Sequence, residues 1–117
     1  MTRHELEAEA RRLSRLLEEG LKVLRESSQV AAEAEREYRK AKAEAWLRVE
    51  GTAAHREAQV DGLTADLRFE RDVQEGLRRA ALESVRARSQ QVSLIQSLLA
   101  AYRSEAEFTR TGPEVGR

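Results

Sequence analysis

Cysteine is absent from this sequence of 117 residues, and the one proline lies near the end, at Pro113. The lack of cysteine excludes disulfide bonds, thiolate zinc sites and cysteine nucleophiles. Because no proline precedes Pro113, no residue of that type interrupts a helix over most of the chain. Aromatic residues make up only 4% of the sequence, and much of the 40% hydrophobic content is alanine. Large apolar side chains are therefore few.

An excess of charge of either sign is also missing, since Lys+Arg and Asp+Glu each number 21. This balance argues against a general basic surface for nucleic acid and against an acidic solvating tail. The longest run without charge, Ser89–Tyr102, is too short and too polar to cross a membrane. The first residues are charged and contain no apolar segment of the signal-peptide type. The sequence therefore predicts a cytoplasmic protein that does not enter a membrane.

Charged residues make up 36% of the chain, and together with alanine and leucine they give the composition of long helices and coiled coils. In the first half, apolar and small residues recur every seven positions and share one helix face. The two rows are Leu17, Leu24, Ala31, Tyr38 and Ala45, and Leu13, Gly20, Ser27, Ala34 and Ala41. The second half of the chain contains a second apolar face. Its central residues are Val85, Val92 and Leu99, beside Ala81, Ile95 and Tyr102. The face is extended toward the N-terminus by Leu63, Leu67, Val73 and Leu77 and is broadened by Leu94, Leu98 and Phe108.

The break between these two faces is predicted at residues 50–53. Gly51 can adopt the left-handed conformation that ends a helix, and Thr52 is a good N-cap for the next one. Asp61-Gly62 and Thr64 make a second break near 61–64 an open alternative. The sequence thus predicts an all-α protein, a long antiparallel helical hairpin of coiled-coil type over residues 1–110. Residues 111–117, which include Gly112 and Pro113, are expected to form a disordered tail.

The apolar stripes are wider than one partner helix can cover, so we expect the hairpin to dimerise into a four-helix bundle. The residues expected in the oligomer core are Leu13, Leu17, Leu24, Val85, Val92, Ile95 and Leu99. A monomer of three or four helices, with additional breaks near Ser27 and Asp61, is the alternative architecture.

Motifs for catalysis are missing. The two histidines, His4 and His55, have no metal-ligand partner at a recognised spacing. Phosphate-binding glycine motifs and a nucleophile elbow do not occur. We therefore predict no enzymatic activity, no cofactor, no metal and no small-molecule substrate.

Two regions could bind a macromolecule. The first surrounds the predicted turn and combines aromatic with basic residues, a mixture suited to a protein hot spot or to stacking and phosphate contact. Its candidate partner-binding residues are Tyr38, Arg39, Lys42, Trp46 and Arg56. The other interpretation is that Tyr38 packs in the core and Trp46 beneath the turn, with the charges solvated.

The second region is locally basic, and its candidate nucleic-acid-binding residues are Arg78, Arg79, Arg86 and Arg88. These arginines could contact a phosphate backbone. The alternative is that the basic helix meets the acidic N-terminal residues Glu5, Glu7 and Glu9, in the same chain or in a second copy.

The run Tyr38-Arg39-x-Ala41-Lys42-Ala43-x-Ala45-x-Leu47-x-x-Glu50-Gly51-Thr52 resembles a motif of small helical bacteriophage proteins, and Val92–Leu98 is similar to their serine- and leucine-rich segment. The resemblance covers about residues 30–100. Genes of these proteins are often neighbours of recombination or replication genes, which implies an accessory role in phage DNA metabolism. His55 stands where a glutamate is usual, and the resemblance implies no active site.

The favoured hypothesis is therefore a non-enzymatic, phage-type interaction protein that binds a protein partner as a homodimer in the host cytoplasm. The alternative is a nucleic-acid-binding accessory protein for phage recombination or replication.

Overall fold

Two α-helices account for the fold: α1, Arg3–Arg48, and α2, Ala53–Val115. They are seen in a computed structural model that describes the backbone of residues 1–115 and the side chains of residues 1–110. Over the described residues no strand is present. The prediction of an all-α helical hairpin is confirmed.

The turn between the helices is built by Gly51 and Thr52. Gly51 has a φ of 117°, a conformation that side chains with a Cβ rarely adopt. The hydroxyl of Thr52 accepts a hydrogen bond from the backbone N–H of His55 at 3.3 Å, and its carbonyl accepts one from Arg56 at 2.9 Å. Thr52 therefore caps α2 by satisfying donors that the first turn leaves free.

We expect Gly51→Ala to lower the free energy of unfolding by about 1–2 kcal/mol, the cost of a left-handed conformation for a residue with a Cβ. A Cβ at this position would also lie 2.9 Å from Cδ2 of His55. Gly62→Ala is the matched control, because a Cβ there meets nothing within 4 Å and should stabilise the helix by about 0.5–1 kcal/mol. Urea unfolding followed by circular dichroism measures both changes, and equal effects of the two variants would contradict the assigned role of Gly51.

The possible second break near 61–64 is absent, because α2 continues through these residues. Packing accounts for the difference. Val60 and Thr64 are 0% and 3% exposed, and the hydroxyl of Thr64 donates to the carbonyl of Val60 at 2.7 Å. Burial on this side of α2 outweighs the cost of about 1 kcal/mol for Gly62 in a helix.

The predicted irregular tail also differs from the structure, since α2 extends to Val115. Pro113 lies in the last turn, and its missing N–H leaves one carbonyl of the preceding turn without a helical donor. Residues 116 and 117 of the predicted tail lie outside the described residues.

The chain divides into two units that each contain part of both helices. The first unit joins Met1–Leu21 to α2 from Ser84 onward. Its core consists of Leu6, Leu13 and Ile95, which are 2%, 3% and 9% exposed. The half-buried residues packed against this core are Ala10, Leu16, Val92, Leu99 and Tyr102. The Tyr102 hydroxyl donates a hydrogen bond to the carbonyl of Met1 at 2.7 Å, so the antiparallel helices are also joined near the chain's N-terminus.

The second unit is Lys22–Glu83, and its interior contains smaller and more polar side chains. Its buried residues are Ala31, Tyr38, Ala45, Val60 and Thr64. Further along α2, the row of residues that faces α1 continues with Arg71, Gln74 and Arg78, which are all half-buried. The arginine stems can pack against α1 because the facing residues of α1 are small.

Candidate interaction surface

The residues predicted to form an oligomer core lie in the contact between α1 and α2 of one chain. Leu13 and Ile95 are buried, and the other members of the set are half-buried: Leu17, Leu24, Val85, Val92 and Leu99. A Cβ added at Gly20 would come 3.4 Å from Cγ2 of Val85, which shows how closely the helices approach there. The hairpin itself covers these side chains at least in part, and their role in the core of an oligomer stays a prediction.

One apolar surface that remains exposed is a different row on α2, here called the outer row. It consists of Val73, Leu77, Ala80, Ser84, Ala87, Gln91, Leu94, Leu98 and Ala101. The members are alternately four and three residues apart, so they follow one face of the helix. All are exposed and none is charged. By contrast, the inward face of α2 contains several arginines, among them Arg71, Arg78 and Arg88.

Large side chains occupy both ends of the outer row. In the second unit, Val73 and Leu77 are 39% and 54% exposed. In the first unit, Leu94 and Leu98 are 61% and 41% exposed. In a chain with 36% charged residues, an exposed face without charge is typical of a contact surface.

The sequence interpretation placed Val73, Leu77, Leu94 and Leu98 on the same face as Val85 and its neighbours, and this was wrong. The available signal was a second set of heptad positions on α2. Two apolar rows on one helix predict two contacts, one with α1 and one with something else. Treating them as one broad stripe merged the two contacts.

The candidate partner-binding residues near the turn mostly contact one another. Tyr38 is only 6% exposed, and its ring lies beneath the guanidinium of Arg71, whose carbon is 4.5 Å from the ring centroid. The ammonium of Lys42 lies 5.8 Å from the same centroid. Arg71 and Arg39 both pair with the carboxylate of Glu35, at 3.6 and 2.7 Å. Tyr38 is therefore a core residue and not a partner-binding one.

Trp46 and Arg56 form a second contact across the turn. The guanidinium of Arg56 lies 5.0 Å from the centroid of the Trp46 ring. One of its nitrogens donates a hydrogen bond to the carbonyl of Trp46 at 2.8 Å. This carbonyl belongs to the last turn of α1, where no helical donor remains. Arg56 therefore caps α1 from α2, a role that sequence spacing did not suggest.

A carboxylate just outside the predicted basic region pairs with two of its arginines. Glu75 pairs with Arg78 at 2.6 Å and with Arg79 at 3.3 Å. The hydrogen bond from Arg78, aided by Arg79, lowers the pKa of Glu75 to about 2. The carboxylate is therefore ionised at neutral and mildly acidic pH, and its attraction for the arginines fades only as the pH falls toward that value.

The other two candidate arginines also have intramolecular contacts. Arg88 donates a hydrogen bond to Gln91 at 3.1 Å, and Arg86 takes part in an interaction as well. The Glu9 side chain pairs with Arg12, which lowers the pKa of Glu9, and the charge of Arg88 adds to this effect. An acidic residue of the N-terminal segment thus lies near the basic part of α2 in the same chain. A phosphate backbone would have to compete with these partners.

A groove of about 510 Å³ lies in the second unit between small residues of α1 and charged residues of α2. Its charged lining residues are Glu35, Arg39, Arg71, Asp72, Glu75, Arg78 and Arg79. Because the acids and bases of this groove pair with each other, the lining offers little uncompensated charge to a ligand.

Among the described residues, no group of three or more histidine or acidic side chains is placed to hold a metal ion. Neither helix, within the described part of the chain, contains a stretch long and apolar enough to span a membrane. Comparisons with protein-family models, with characterised proteins and with solved structures found no match to this chain.

Proposed function

We propose that this protein is a non-enzymatic interaction protein of the small phage-type helical class, which self-associates and binds a protein partner. The observation that carries the proposal is the part of the outer row that lies in the first unit, whose members are all exposed and uncharged: Ser84, Ala87, Gln91, Leu94, Leu98 and Ala101. Water contact with this row is unfavourable, and contact with another protein surface removes it.

The position of this row supports self-association. The inward faces of α1 and α2 already cover each other, as the burial of Leu6, Leu13 and Ile95 illustrates. The outer row is therefore available for a contact between chains without any change in the hairpin.

A protein partner has further apolar side chains to contact in the second unit. Leu47, Leu63 and Phe69 are 87%, 62% and 69% exposed. These residues do not extend the uncharged row, because Asp66 and Glu70 interrupt it on the side toward the turn. Scattered apolar side chains within a charged surface suit a reversible contact better than a permanent one.

Light scattering across a range of protein concentrations tests the self-association. We expect a mass about twice the 13.3 kDa of one chain for the natural protein. Leu94→Glu should return the mass to that of a single chain, since it places a charge in the middle of an apolar contact. Leu47→Glu is the control, because Leu47 is more exposed than Leu94 and lies on α1.

The two variants have to keep the helical content of the natural protein, which circular dichroism checks. A natural protein that remains a single chain at every concentration would contradict the proposal. So would a Leu94→Glu variant with an unchanged mass.

A further inference from the structure

We propose that a groove beside the start of α1 is a binding site for a small anion that carries phosphate groups. The groove has a volume of about 290 Å³, and its lining residues are Arg3, Arg103, Ala106, Glu107 and Arg110. It is here called the arginine groove. All of its lining residues belong to the first unit. The proposal does not depend on the self-association proposed above.

The arginines of α2 border this groove because of their spacing along the helix. Arg103, Ala106 and Arg110 are three and four residues apart, so they lie on one face of α2. The short side chain of Ala106 leaves open space between the two long ones. At their Cα atoms the two arginines are about 10 Å apart, for seven residues at about 1.5 Å each. Since Arg3 lines the same groove from α1, guanidinium groups from both helices border one space.

The arginines of this groove have fewer ion pairs than those of the groove in the second unit. Arg3 donates a hydrogen bond through Nε to Glu7 at 3.3 Å, and a guanidinium has four further N–H donors. Among the described residues, neither Arg103 nor Arg110 forms an ion pair. The lining contains three positive side chains and one negative one. This excess of positive charge attracts an anion.

The number of guanidinium groups indicates which kind of anion fits. Each guanidinium presents a planar fork of donors that matches the oxygens of a carboxylate or a phosphate. A carboxylate has two oxygens and a single charge, which suits one arginine. A phosphate monoester has three acceptor oxygens and a charge of about −1.5 to −2. Three arginines around one space therefore favour a phosphate group.

The size and lining of the groove limit what else the ligand contains. Pockets for drug-sized molecules have volumes of about 300–1,000 Å³, and the arginine groove lies at the lower end of this range. None of its five lining residues is aromatic, so the groove offers no ring on which a nucleobase can stack. The groove therefore recognises the phosphate groups of its ligand, and inorganic pyrophosphate is the simplest probe.

Calorimetric titration with inorganic pyrophosphate tests the proposal at low ionic strength, where exposed charges are screened least. The natural protein should bind the anion. The double variant Arg103→Gln/Arg110→Gln should bind it at least about tenfold more weakly, because glutamine lacks both the positive charge and the fork of donors.

Arg11→Gln/Arg15→Gln is the matched control, because it changes the net charge by the same amount. Both arginines are exposed on α1 in the first unit and lie outside the lining of the arginine groove. The affinity of this double variant for pyrophosphate should stay within about twofold of the natural value. Since all four substituted arginines are exposed, circular dichroism should show both double variants as helical as the natural chain.

Three outcomes overturn the proposal. Equal losses of affinity in the two double variants show that pyrophosphate responds to general positive charge and not to the arginine groove. The absence of binding to the natural protein at low ionic strength excludes the site. Binding of adenosine diphosphate or of a short oligonucleotide, without binding of pyrophosphate, shows that the ligand is recognised by more than its phosphate groups. Similar affinities for pyrophosphate and adenosine diphosphate, both reduced by Arg103→Gln/Arg110→Gln alone, support the proposal.

Discussion

Replacing Leu13 by alanine is expected to lower the free energy of unfolding by about 2–5 kcal/mol. Leu13 is 3% exposed and packs with Leu6 and Ile95 in the core of the first unit. A shorter side chain removes apolar contact and leaves a cavity that two packed helices can only partly close. Since small domains are stable by only about 5–15 kcal/mol, the loss should be visible as a large fall in the urea midpoint.

Leu94→Ala is the matched control for Leu13→Ala. It makes the same chemical change in the same unit, but at a side chain that is 61% exposed. At protein concentrations low enough to keep the chains apart, its effect should stay within about 0.5 kcal/mol. Equal losses for the two variants would show that the core assigned to the first unit does not stabilise the fold.

The second large effect is expected for Tyr38→Ala, at about 3–5 kcal/mol, the range for the loss of a large buried ring. Tyr38 is 6% exposed, and its ring supports the guanidinium of Arg71 at 4.5 Å. The variant therefore removes both the packing between α1 and α2 and a cation–π contact in the second unit. Urea unfolding measures the change.

Tyr38→Phe provides the comparison, because it retains the ring that contacts Arg71. Its stability should remain much closer to that of the natural protein. A Tyr38→Ala variant with natural stability would return Tyr38 to the set of surface candidates. If the variant is destabilised as expected, any loss of partner binding has to be judged against the loss of folded protein.

The helices and their contact faces could be predicted from local pattern. Both heptad rows of α1, from Leu13 to Ala45, are buried or half-buried without exception. The reason is that helical periodicity depends only on spacing along the chain, and spacing is written in the sequence. The turn could be predicted for the same reason, since Gly51 and Thr52 act through their own backbone and side chain.

The contacts of the candidate site could be predicted less well from the sequence, because they depend on which residues meet across the hairpin. Glu75 pairs with both Arg78 and Arg79, although a count of charge from Arg78 onward leaves it out. Arg71 covers Tyr38 and Arg56 caps α1 at Trp46. These contacts join residues 33 and 10 positions apart, and single-sequence patterns contain no information on such pairs.

By itself, the sequence determined that this chain forms long helices, where they reverse direction, and which rows of side chains are apolar. Only the tertiary structure decided how those rows are used. Packing α1 on α2 covered Leu13, Val92 and Ile95 and left Val73, Leu77, Leu94 and Leu98 exposed. The physical reason is geometric, because a helix with two apolar rows can turn only one of them toward a single neighbour.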